Sequence, residues 1–313
     1  MRVFVAGSTG VIGRRVVPLL LRAGHDVTAM LHSRRGSAEA VERSGAKTVT
    51  ADLLDFDSLL RAVDGQEAVI NLATHIPPST FLMFLPAAWH ENDRVRRDGS
   101  ANLAKAAAQV GARRFVQESF APVYPDRGDQ WIHETDSIEP SSHNRTVADA
   151  EQSAERFCQS GGAGVVLRFA AFYGPDARQL TDLVRFARLG FAPLPGPSES
   201  YLSSISHDDA AAAVMTALHV PPGIYNVGDD DPVTHRDYVK ALADALHLTR
   251  PLKLPPPWAV ALAGPVGKLL ARSLRISNMK LRNEGWAPKY RSVREGFLAT
   301  LAEMNVTPTA RAA

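Results

Sequence analysis

Three glycines stand three residues apart directly after the chain's first apolar run, in Gly7-Ser8-Thr9-Gly10-Val11-Ile12-Gly13. Glycine lets a backbone turn tightly and come close to a ligand, and a helix opening there offers free N–H groups and a partial positive charge. A strand, a glycine turn and a helix in that order form a seat for a pyrophosphate. Gly7, Ser8, Thr9, Gly10, Val11, Ile12 and Gly13 are therefore the first candidate cofactor-binding residues. The second apolar run ends Met30-Leu31-His32-Ser33-Arg34-Arg35. No carboxylate is present there to bind an adenosine 2′-hydroxyl, whereas guanidinium groups suit a 2′-phosphate. His32, Arg34 and Arg35 are thus expected to contact the dinucleotide, and NADP(H) is favoured over NAD(H).

Alternating elements must hold that turn. Strands are expected at Arg2 to Ala6, Asp26 to Leu31, Lys47 to Thr50, Ala68 to Leu72, Arg113 to Gln117 and Gly164 to Phe169. Helices are expected at Val11 to Ala23, Ser37 to Ser44, Phe56 to Val63, about Pro86 to Val110, and Thr146 to Ser160. Strand runs such as Val-Thr-Ala-Met-Leu lack a strict period of two, as in a parallel sheet covered on both faces. The fold class is α/β, a doubly wound parallel sheet of Rossmann type over residues 1–175. Beyond it the pattern changes to proline-separated short elements. Residues 176–313 should form mainly a smaller C-terminal substrate lobe, with some segments returning to the sheet.

Composition narrows the function. The 35 basic and 33 acidic side chains nearly cancel, so no field gathers nucleic acid or an anionic membrane surface. No apolar run reaches the roughly 18 residues of a membrane span. Cys158 is the single cysteine, so no internal disulfide can form, and no leader precedes the first strand; a cytoplasmic location is expected. No spaced set of His, Cys, Asp and Glu resembles a metal site.

Further segments fall in a recognisable order: Ala51-Asp52-Leu53, Asn71-Leu72-Ala73, Arg114-Phe115-Val116-Gln117-Glu118-Ser119, Leu167-Arg168-Phe169, Phe172-Tyr173-Gly174-Pro175, Ser206-His207-Asp208-Asp209, Tyr225-Asn226-Val227-Gly228 and Gly285-Trp286-Ala287-Pro288. With the glycine turn, they resemble the short-chain dehydrogenase/reductase superfamily in its extended or atypical branch, the NAD-dependent epimerase/dehydratase-like proteins. The resemblance covers nearly the whole chain. It implies that Asp52 and Leu53 lie against the adenine and Ala73 against the ribose side of the dinucleotide. It also implies that the helices at Pro86 to Val110 and Thr146 to Ser160 can pair across a homodimer. The stripe Val147, Ala150, Ala154, Phe157 and Cys158 is compatible with that role, or with burial inside the monomer.

The superfamily's chemistry rests on a tyrosine with a lysine four residues later, and here the chain departs. Four residues after its tyrosines stand Gly128, Ala177, Ile205, Asp229, Leu242 and Arg294, and no lysine occurs between Lys105 and Lys240. His143 stands at the tyrosine position and Val147 at the lysine position. Oxidising an alcohol needs a base, and an unassisted tyrosine with a pKa near 10 is ionised only about 0.1% of the time at pH 7. Reducing a ketone needs only an acid, so reduction survives the loss better. Three candidates could supply the proton: Ser119 at the end of the fifth strand, Tyr124 in the following loop, and His143, whose ordinary pKa near 6.5 suits the task. His207 is expected to cap a helix. Nucleotide-sugar members of the family carry a diphosphate-binding arginine where this chain has Leu202.

The loops at the carboxyl edge are apolar and aromatic, with His75 to Pro78, Phe81 to Leu85, Trp89, Trp131, Phe172 and Tyr173. The reading is an atypical NADP(H)-dependent oxidoreductase that reduces a carbonyl on a small, hydrophobic or aromatic molecule. The alternatives are a nucleotide-sugar epimerase or dehydratase with displaced catalytic groups, and a non-catalytic NADP(H)-binding redox sensor.

Overall fold

The computed structural model describes residues 1–32, 38–77, 82–141, 144–256, 258–262 and 264–306. Seven strands form one all-parallel sheet: β1 (Arg2–Ala6), β2 (Asp26–Leu31), β3 (Lys47–Thr50), β4 (Ala68–Asn71), β5 (Arg114–Phe120), β6 (Ala163–Phe169) and β7 (Gly223–Val227). Their spatial order is β7-β6-β5-β4-β1-β2-β3, with register pairs that include Ala6 with Asn71 and Leu31 with Thr50. The order reverses between β1 and β4, and the crevice above such a switch point is where open α/β sheets bind ligands.

Alternation along β1 shows why both faces are covered. Val3 and Val5 point into a core with Val16, Val17 and Leu20 of α1 (Gly13–Arg22). Phe4 and Ala6 point to the opposite core, with Leu59, Leu103, Ala107 and Phe157 from helices 56–62, 100–109 and 146–159. The expected long helix from Pro86 is a relay of four pieces: a 3-10 turn at Pro86–Trp89, an α-helix at His90–Arg94, a π-turn at Val95–Gly99 and an α-helix at Ser100–Gln109. The backbone N–H of Ser100 donates to the Val95 carbonyl, five residues back. That extra residue is the mark of a π-turn.

The later half of the chain does not stay apart from the sheet. Strand β7 joins the sheet beside β6, and the helix His207–Thr216 packs on α1. A separate core gathers Tyr173, at the end of a short strand, with Leu183, Leu242 and Phe297 from helices 178–188, 235–245 and 293–303. The stripe Val147, Ala150, Ala154 and Phe157 is buried within the chain, and the Gly164 N–H donates to Cys158 Sγ at 3.1 Å. Those residues are therefore spent on the monomer's own packing. Among the described residues no helix is long and apolar enough to cross a membrane.

Candidate functional site

The glycine turn closes against the end of β4. Gly7 has φ +76°, and a Cβ there would lie 2.6 Å from the Leu72 carbonyl carbon; a Cβ on Gly13 would lie 2.1 Å from the Gly7 carbonyl oxygen. Only glycine fits either place. Ser8 turns its side chain inward, where Oγ donates to the Met30 carbonyl at 2.8 Å. Thr9 and Gly10 are exposed, Val11 is half-buried, and Ile12 belongs to the core. Ile12 also takes the N-cap position of α1 without a side-chain hydrogen bond, and no acid stands in the first turn. A helix start without cap or acid leaves positive N–H groups for an anion, so the residues present fit a dinucleotide pyrophosphate.

Asp176 crosses from the loop before helix 178–188 to this end of α1. It pairs with Arg14 at 2.6 Å and Arg15 at 2.7 Å. Burial works to raise the Asp176 carboxyl, but the Arg15 and Arg14 guanidiniums hold it below its ordinary range.

The remaining cofactor candidates lie along the same edge. The Ala51 N–H donates to the Leu31 carbonyl at 3.2 Å, which sets the ends of β2 and β3 side by side. His32 and Asp52 are both exposed there. Asp52 Oδ1 accepts the Leu54 N–H at 2.9 Å, while the helix that follows is capped by Asp55. Leu53 is buried under Gly99, and Ala73 is half-buried with its N–H on Asn71 Oδ1 at 3.2 Å. Arg34, Arg35 and His143 lie outside the described residues.

The two described proton-donor candidates sit in one buried network. Ser119 Oγ donates to Glu151 Oε1 at 2.5 Å. The same carboxylate takes Arg168 Nε at 2.7 Å and Arg168 Nη2 at 2.6 Å. Arg168 Nη1 donates to the Tyr124 hydroxyl at 2.7 Å, and that hydroxyl donates to Asn226 Oδ1 at 2.9 Å. Tyr124 is fully buried, packed with Val123, Ile132, Val147 and Ile276. Burial pushes its phenol up to about 12, despite the opposing pull of Arg168. In this geometry neither hydroxyl is presented to a ligand.

Other expected roles shift as well. Ser206, rather than His207, caps its helix by accepting the Asp209 N–H. His207 is the first helical residue, and burial takes its imidazole down to about 4. Tyr173 is a core residue against Phe297 and so no open wall of a cleft, whereas Phe172 is half-buried with its ring tilted against Phe169. Trp131 lies under Arg275, whose guanidinium carbon is 4.2 Å from the ring centroid.

Reasoning from sequence passed over a second buried ion pair at the β5 edge. Arg96, in the π-turn, donates through Nη2 to both Glu118 oxygens, at 3.0 and 3.3 Å. Arg96 is 4% exposed and Glu118 8%. An acid inside a strand of a sheet expected to be covered on both faces was the available signal, since such a residue is rarely buried unpaired. Among the described residues no cluster of three or more His, Cys, Asp or Glu could hold a metal ion.

Comparison with known proteins gives this geometry its class. The profile of the NAD dependent epimerase/dehydratase family matches residues 3–228, and the chain belongs to that family. It is an enzyme of the NAD(P)-dependent oxidoreductase/epimerase type. A 3-diazoavenalumate denitrifying reductase from a Streptomyces species is 31% identical over 95% of this chain and 99% of its own. A 4-hydroxy-2-methyl-3-oxo-4-farnesyl-3,4-dihydroquinoline-1-oxide ketoreductase from Stigmatella aurantiaca is 25% identical over 88% of this chain and 82% of its own. The crystal structure of UDP-glucose 4-epimerase from Thermus thermophilus in complex with NAD superposes with a TM-score of 0.78 at 26% identity. It covers 98% of this chain and 99% of the epimerase.

Proposed function

We propose that the protein is an NADP(H)-dependent reductase that delivers hydride to a carbonyl carbon of a small, hydrophobic or aromatic molecule. The observation that carries this reading is the state of Tyr124: fully buried, hydrogen-bonded at both ends, and with its phenol held up at about 12. Val147 fills the lysine position of the tyrosine–lysine pair and is itself buried. Tyr124 is not set up to take a proton from an alcohol, which an epimerase or dehydratase needs first. A reduction needs only that the new alkoxide receive a proton.

Bound at the glycine turn, NADPH would supply the hydride. The turn and the bare end of α1 hold the pyrophosphate, and Asp52 and Leu53 flank the adenine side. Arg34 and Arg35 provide charge for a 2′-phosphate. As the hydride reaches the carbonyl carbon the C=O π bond breaks, and the oxygen keeps the electron pair and takes a proton. His143, which lies outside the described residues, is the remaining donor candidate; water is the alternative source. Two relatives named as reductases, at 31% and 25% identity, support hydride delivery over epimerisation. Leu202 in place of a diphosphate-binding arginine points the same way.

The test is NADPH oxidation followed at 340 nm against aryl ketones, aryl aldehydes and diazo-substituted arenes, with UDP-glucose epimerisation assayed beside it. Carbonyl-dependent NADPH consumption without epimerisation supports the reading. Epimerisation, or tight NADPH binding with no turnover across the panel, overturns it.

A further inference from the structure

On the outer run of the relay leading to helix 100–109, residues 92, 96 and 100 are buried together on one face. The face is polar throughout. Ser100 Oγ accepts Asn71 Nδ2 at 3.1 Å, and Asn71 Nδ2 also reaches Gln117 Oε1 at 3.0 Å. One turn further out, Arg96 meets Glu118; one turn beyond that, Asn92 Oδ1 accepts the His75 N–H at 2.9 Å. The series climbs from the sheet's edge between β4 and β5 into the space above it.

Two donors on this face have no acceptor among the described residues: Asn92 Nδ2 and Arg96 Nε. Asn92 is 0% exposed and Arg96 4%. A buried N–H without a partner is destabilising, so two of them one turn apart call for a reason. The rest of each side chain is fixed, Asn92 by the His75 backbone and Arg96 by Glu118. Neither can turn away to find another partner.

Their place in the fold supplies the reason. The adenine side of the dinucleotide belongs at the ends of β2 and β3, and the pyrophosphate at β1. The other half must extend over β4 and β5, where His75 lies four residues past the end of β4 and Glu118 lies near the end of β5. Ile76, Leu82 and Leu85 expose apolar surface in the neighbouring segments, and Trp89 is half-buried with its Nε1 on the Met83 carbonyl at 2.8 Å.

We infer that Asn92 Nδ2 and Arg96 Nε form a donor pair for an oxygen of the molecule that accepts hydride, a carbonyl or carboxylate oxygen carried on an apolar, aromatic body. The inference rests on the reductase reading for what the oxygen belongs to, but its geometry stands apart from it. Donors shielded from water act most strongly on a developing negative charge. The pair polarises the oxygen by donating hydrogen bonds to it. Glu118 is a positioning residue: it holds the guanidinium and offsets its charge. The ligand's oxygen reaches the donors by displacing the side chains that now screen them.

The test uses the NADP⁺-loaded protein and benzoate as an unreactive aryl carboxylate, by titration calorimetry. Wild type is expected to bind benzoate. Asn92→Leu, and Arg96→Met combined with Glu118→Gln, should each weaken it at least about tenfold, the effect of losing one charge-assisted or buried hydrogen bond. Asn92→Asp keeps the size but replaces the donor with an acceptor, and should weaken binding as strongly. NADP⁺ affinity should stay within about twofold in all three, since none touches the glycine turn. If the double variant does not fold, the two Asn92 variants carry the test. No benzoate binding by wild type, binding indifferent to both donors, or crystallographic density for an ordered water only at the pair in the presence of benzoate overturns the inference. Dependence of benzoate binding on both donors, with no carbonyl reduced, would sink the reductase reading and leave the donor pair standing.

Discussion

Arg168 Nη1 donates to the Tyr124 hydroxyl at 2.7 Å, with the guanidinium carbon 4.8 Å from the centroid of the same ring. The arginine therefore engages the tyrosine by both its hydroxyl and its face. That contact makes Tyr124 part of the brace between β6 and the loop after β5. Tyr124→Phe should leave Arg168 and Asn226 each short of a partner and cost of the order of 1–3 kcal/mol, read as a lower urea midpoint. NADPH-dependent turnover should change by less than about threefold, well below the loss expected for a general acid. A hundredfold fall in kcat at unchanged stability would restore Tyr124 as the proton donor.

Glu151 ties Ser119 to Arg168, and the tie predicts an asymmetry. Glu151→Gln leaves the buried Arg168 guanidinium uncompensated and should cost about 3–5 kcal/mol. Replacing both partners with apolar residues, Glu151→Leu with Arg168→Met, should cost less than the single change. Ser119→Ala removes one hydrogen bond and should be the mildest of the set, about 1 kcal/mol. Denaturation midpoints of the four proteins decide the order. Equal losses for the single and the double variant would show that the charge is not the source of the cost.

Local pattern reveals the frame and hides the braces. The bounds of β1, β2 and β3 coincide with the expected ones, and Gly7 directly after β1 shows the simplest cause, a turn residue that stops the strand. The glycine turn is legible for a similar reason, since its conformation is set by the residues themselves. Tyr124 is not. Its partners Arg168 and Asn226 lie 44 and 102 residues away, and nothing near Tyr124 in the chain announces either one. Arg96 and Glu118 were in plain sight as letters, but only the π-turn sets Arg96 on the buried face, and a π-turn has no strong sequence signature. The stripe on helix 146–159 was legible as apolar; whether it faced the sheet or a second copy depended on where the sheet lay.

The proposed function places the cofactor choice at the end of the second strand. Arg34→Ala with Arg35→Ala should weaken NADPH at least about tenfold, the loss of one hydrogen bond to a charged group, and leave NADH nearly unchanged. Binding by NADPH fluorescence and by NADH displacement measures the two affinities separately. Equal affinity of wild type for both dinucleotides, or no effect of the double change, would mean that the 2′-phosphate is held elsewhere or not selected.

Asp229 follows β7 and is 1% exposed, with one carboxyl oxygen accepting Ser204 Oγ at 3.1 Å and the other without a partner among the described residues. Burial pushes its pKa well above the ordinary carboxylate value, and the negative charges of Asp209, Asp230 and Asp231 add to the rise, against the hydrogen bond from Ser204. The folded protein therefore binds this proton more tightly than the unfolded chain does. Its stabilising contribution is fully present below the unfolded pKa near 4 and is lost as pH rises through the raised folded value. Asp229→Asn has the same shape and no charge to bury. Wild type and variant should show their smallest difference below about pH 4, and the variant should gain on wild type as pH rises. His207 and His235, both brought down to about 4 by burial, destabilise the fold as pH falls, but they are common to both proteins and cancel in the difference. Urea midpoints taken in parallel from pH 4 to pH 9 give that difference directly. A gap that stays constant, or that narrows toward high pH, would show that Asp229 is ionised in the folded protein throughout and that its free oxygen is satisfied by another group.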